Sequence, residues 1–101
     1  MKVSELTGAA LDYAVGKAEG LSHFLHGRVP YSSDWSQSGP IIERERIAID
    51  GNAIVGQWMA TIYIHNEEPW EMRGPTPLIA AMRCYVASKL GDTVDVPPEL
   101  Q

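Results

Sequence analysis

Cysteine is nearly absent from this chain: Cys84 is its only one in 101 residues. One thiol cannot build an intramolecular disulfide framework, so packing must hold the fold, and a reducing cytoplasm is the simplest setting. Long apolar runs are missing too. PLIAAMRCYVA, the longest helix-like one, is broken by Arg83 and falls well short of the roughly 20 residues of a membrane span. The first residues, MKVSELTGAAL, carry Lys2 but no sustained apolar stretch, so neither a signal peptide nor membrane insertion is expected. Basic residues are scarce. Eight Lys and Arg face 13 Asp and Glu, a net charge of -5, and after Gly91 there are acids (Asp92, Asp95, Glu99) and no base. Phosphate backbones would be repelled overall unless a local patch overrode the average. The nucleophile elbow G-x-S-x-G, a glycine-rich phosphate loop and zinc-finger spacing are all lacking.

What is present suits one domain spanning 1–101, with the acidic tail 92–101 flexible. At this length the core is thin, and burial against a second copy is one way to add stability, so a homodimer is among the expected partners. Residues 4–19 read as a helix with Ser4 or Thr7 as N-cap, Leu6, Ala10, Tyr13 and Ala14 on one line, and Gly20 as its stop. Ser33 or Asp34 begins a second helical segment that Gly39 and Pro40 interrupt or restart, with Ile41 and Ile42 facing inward. Alternation at Ile47 and Ile49, then β-branched and aromatic residues in QWMATIYIH, predicts two strands joined by a turn at Asp50, Gly51 and Asn52. A third short strand falls at 70–73.

The last helix has the clearest start. Thr76 can cap it, and Pro77 sits at the first helical position, where a missing amide proton costs nothing. Leu78, Ile79, Met82, Tyr85 and Val86 form its apolar stripe. The expected fold is therefore α+β: a compact two- or three-stranded antiparallel sheet packed with two or three helices.

The stretch PYSSDWSQSGP gathers hydroxyls, an acid and two rings, which invites a hydrolase reading. Ser32 or Ser33 would be nucleophile, one of His23, His26 or His65 the base, and Asp34 its orienter. Capping already accounts for Ser33 and Asp34, so catalysis is the minor alternative. His23 and His26 lie three apart, and a metal site would need further ligands from Cys84, Asp34 or His65, so no metal or cofactor is expected. Cys84 packs as a small hydrophobe, and Glu67, Glu68 and Glu71 form a solvated loop. Trp58, alternating with Ala60 and Ile62, reads as a core or half-buried sheet residue, whereas Trp35 and Trp70 adjoin polar loops. Tyr31, Asp34, Trp35, Arg44, Trp70 and Arg73 make the candidate binding surface, with rings as anchors and charges giving orientation. A nucleic-acid modulator is the alternative, and it needs at least three of Arg28, Arg44, Arg46, Arg73 and Arg83 on one face.

YSSDWSQSGPIIERE and GPTPLIAAMRCYVASKLGD, with SELTGAALDYAVGKAEG, closely resemble the small bacteriophage and prophage NinX-like family, whose biochemical function is not established. The resemblance places family positions at Tyr31, Ser32, Asp34, Trp35, Gly39, Pro40, Glu43 and Arg44, and at Gly74 to Pro77, Met82 and Arg83. Ser33 stands where the pattern has threonine, and Arg46 where it has glycine. The family is also similar to small phage α-β-α sandwich proteins. The resemblance implies a phage or prophage origin and a layered architecture; together with the candidate surface, the expectation is a non-enzymatic accessory protein of the host bacterial cytoplasm that binds a host or phage protein.

Overall fold

The computed structural model describes residues 1–22 and 28–101. A 3-10 turn, Val3–Glu5, leads into helix α1 (Gly8–Ala18), followed by α2 (Trp35–Glu45), strands β1 (Ala48–Asn52), β2 (Gln57–Ile62) and β3 (Trp70–Gly74), and helix α3 (Pro77–Leu90). The strands form one antiparallel sheet in the order β1-β2-β3. The protein is thus α+β, with three strands and three helices among the described residues, as its periodicities predict.

Local chemistry starts the two later helices. The Asp34 carboxylate accepts from the Ser36 amide, and the Thr76 hydroxyl accepts from the Ile79 amide at 3.1 Å. Each satisfies one of the amides a helix leaves unpaired at its start. Pro77 holds the first turn of α3. Pro40 does not break α2, which runs through it to Glu45. Arg46 closes α2 in the left-handed conformation, φ 54°, where glycine costs less. The first helix begins at Gly8 rather than at residue 4, because Val3–Glu5 turns separately and buries Val3 against the core.

The turn between β1 and β2 lies later than the sequence suggests. Asp50, Gly51 and Asn52 continue the strand, and residues 53–56 make the turn, with Asn52 Oδ1 accepting from the Ile54 and Val55 amides. The Asx side chain supplies the turn from its edge rather than its centre.

Helix α3 is apolar on more than a stripe. Ala80, Ala81, Cys84 and Ala87 are buried along with Leu78, Met82, Tyr85 and Val86. A helix with small or apolar residues all round belongs inside. One side lies against the sheet: a Cβ built on Gly74 would meet the Ala80 backbone, so the Gly74 side of the sheet faces α3. Its other sides take α1 and α2, which make no more than slight contact with the strands. The layers are therefore sheet, α3, then α1 with α2. This differs from the α-β-α order of the sandwich resemblance, because no described helix packs on the far face of the sheet.

Arg83, within α3, is buried without an acid beside it. Its guanidinium donates to the Leu6 carbonyl at 2.8 Å and the Arg73 carbonyl at 2.7 Å, tying the chain start and β3 to the helix. Burial pulls its pKa down. Part of the acidic 92–101 segment lies against the start of the chain. Lys2 and Thr93 form a bridge, the N-terminal ammonium donates to the Val94 carbonyl at 2.8 Å, and Val94 and Val96 enter the core. Among the described residues no helix is long and apolar enough to cross a membrane.

Candidate binding site

The PYSSDW stretch is held from below by α1. Asp12, itself buried, accepts from the Ser32 amide at 2.8 Å. Burial pushes the Asp12 carboxyl up, while hydrogen bonds from the Ser32 amide and side chain oppose the rise. The Ser33 and Asp34 amides both donate to the Pro30 carbonyl, closing a turn that delivers Asp34 to the cap position. Asp34 Oδ1 takes the Ser36 amide at 2.9 Å and the Ser36 hydroxyl at 2.7 Å, which hold its carboxyl below the usual range.

The next residue, Trp35, is the first of α2 and stands 54% exposed. It lines a groove of about 470 Å³ together with Ser32, Ser33, Pro77 and Ile79. Gly8 and Thr76 also border the groove, so the starts of all three helices converge on it. Its lining combines an indole, a proline ring and aliphatic side chains with the hydroxyl-bearing Ser32, Ser33 and Thr76. This chemistry suits an apolar side chain flanked by hydrogen-bonding backbone.

The six candidate surface residues do not form one patch. Tyr31 is 7% exposed and belongs to the core, not the surface. Trp70 is half-buried, because it pairs with Ile62 on the helix-facing side of the sheet and packs against the core. Arg73 lies on the opposite face, since strand residues alternate. Arg44 is near the end of α2, roughly 15 Å along the helix from Asp34 and Trp35. There it bonds Glu19 at 2.6 Å and Glu45 at 2.9 Å, and lies over the Tyr85 ring at 5.7 Å. The Tyr85 hydroxyl donates to Glu19, joining α1, α2 and α3 in one polar clasp. Burial and the Glu19 carboxylate push the Tyr85 phenol up.

Sequence reasoning missed the turn after β1, where Ile54 is 96% and Val55 55% exposed. Two apolar residues in a short turn between strands were the available signal. Trp58, expected in a core or half-buried position, lies against Gly51 and is exposed, at 38%.

The hydrolase geometry is not assembled among the described residues. His65 lines a separate groove with Arg44, Arg46 and Lys89 at the far end of α2 from Ser32 and Ser33. His23 and His26 lie outside the described residues. No group of three His, Cys, Asp or Glu side chains is placed to hold a metal among the described residues. The Cys84 thiol is fully buried, donates to the Trp70 carbonyl and is pushed up to about 12 by burial, so it is no nucleophile. Glu67, Glu68 and Glu71 are exposed. The arginines are divided as well: Arg44 and Arg46 share one groove, Arg73 lies on the sheet, and Arg83 is buried.

Residues 25–89 match the family model described as Bacteriophage P22, NinX. The chain matches no curated protein.

Proposed function

The chain belongs to that bacteriophage P22 NinX family, and we propose that it is a non-enzymatic phage or prophage accessory protein that binds a host or phage protein in the bacterial cytoplasm. The observation that carries this reading is Trp35, an indole left 54% exposed beside an apolar groove of about 470 Å³. An aromatic anchor next to a pocket that accepts an apolar side chain is the arrangement found at the centre of protein interfaces. Asp34 caps the helix on which the indole stands, so the backbone that carries Trp35 is organised before binding.

The test is capture from phage-infected cells followed by titration of the purified partner. Trp35→Ala should weaken that complex at least about tenfold, as expected for a central aromatic anchor, and leave the unfolding free energy within about 0.5 kcal/mol of the parent, as for an exposed residue. Equal affinity of parent and variant would remove Trp35 from the interface and the reading with it.

A further inference from the structure

Among the described residues helices cover only one face of the sheet, and the opposite face carries one charge of each sign in a single row. Asp50 in β1 is registered with Met59 in β2, and Met59 with Arg73 in β3. Asp50 and Arg73 are exposed and Met59 half-buried. Neither charge has an ion-pair partner among the described residues. With neighbouring strands roughly 4.8 Å apart, the two charges lie about 10 Å from one another on opposite edges. Val55, from the turn, adds apolar surface beside Met59 and Arg73.

We propose that this face packs on the same face of a second copy, about a two-fold axis running along β2. Such an axis exchanges the two edges of the sheet and keeps each row level. Asp50 then stands opposite the partner's Arg73, Arg73 opposite the partner's Asp50, and Met59 on the partner's Met59. The contact satisfies itself twice, as an isologous interface must. In the next row Ala48 pairs with Thr61 and Thr61 with Glu71. There Glu71 falls opposite the partner's Ala48 and meets no like charge. The other in-plane axis, across the strands, would set Asp50 on the partner's Asp50 and Arg73 on the partner's Arg73. Charge therefore selects the axis as well as the face. Sheets stacked face to face with strand directions within about 30° of each other are an ordinary packing.

Sedimentation of the full chain over a concentration series tests this. The parent should show a monomer–dimer equilibrium. Asp50→Arg and Arg73→Asp, each alone, place like charges in both pairs and should raise the dimer dissociation constant at least about tenfold. Mixing these two variants should restore association, because both pairs are then opposite in sign. Both side chains are exposed, so circular dichroism should show unchanged folds, and Asp50→Lys with Arg73→Glu forms a second pair should either variant unfold. A parent that stays monomeric up to ~1 mM, a dimer indifferent to the reversals, or a mixture that fails to associate would each overturn the proposal.

Discussion

Replacing Gly74 by alanine adds one methyl group at the closest approach of sheet and helix. A Cβ built there stands 2.7 Å from the Ala80 amide nitrogen, 3.0 Å from Ile79 Cγ2 and 3.1 Å from Ala80 Cα. Carbon contacts settle near 3.5–4.0 Å, so the methyl is about 1 Å too close. Two of the three atoms are backbone in the first turns of α3, and no rotamer change can move them. The end of β3 must retreat, which loosens its packing on the central helix. Overpacking of this kind costs roughly 1–3 kcal/mol, and a clash with backbone belongs at the upper end. Alanine recovers roughly 0.4–1 kcal/mol by restricting the unfolded chain. The expected net loss is about 2 kcal/mol, a large part of the ~5–15 kcal/mol that stabilises a typical fold. In urea, with a slope of roughly 1–1.5 kcal/mol/M, the midpoint should fall by about 1.3–2 M at constant slope. Gly39→Ala is the control: a Cβ in that helical position meets nothing within 4 Å, so the variant should gain about 0.5–1 kcal/mol. A Gly74→Ala midpoint equal to or above that of the parent would refute the close-approach reasoning.

Two further outcomes follow from the caps and the clasp. Thr76→Ala removes the acceptor for the Ile79 amide and should cost about 0.5–2 kcal/mol in denaturant unfolding; no loss with an unchanged structure would sink the cap assignment. Burial alone would raise the Glu19 carboxyl, but hydrogen bonds from Arg44 and Tyr85 prevail and hold it below its ordinary 4.5. Its charged form therefore contributes stability that is complete above pH 4.5 and is lost as pH falls through the lower folded value. Glu19→Gln should be less stable than the parent at pH 7 and converge with it in acid, and a gap of constant size across pH would contradict the clasp.

Features that depend on neighbours along the chain were legible from the residues alone. Asp34 and Thr76 bond amides two and three positions away, Pro77 fixes its own dihedral, and the alternation through Ile47, Ile49 and QWMATI marks strands whatever surrounds them. Helix α3 was readable as a helix for the same reason, and the family blocks fixed the chain's kinship. Burial is a different property, because it depends on what arrives from elsewhere in the chain. Tyr31 and Trp35 lie four residues apart in one polar motif, yet the first is in the core and the second is half in solvent. Trp70 and Arg73 were read as neighbours on one surface, and the pleat of β3 sends them to opposite faces. Ala80, Ala81, Cys84 and Ala87 carry no periodic signal strong enough to mark a second buried side, and only the seating of α3 between the sheet and the other helices made that side interior. At the acidic end of the chain, backbone pairing with residues more than 90 positions earlier, which no local pattern announces, accompanies the entry of Val94 and Val96 into the core.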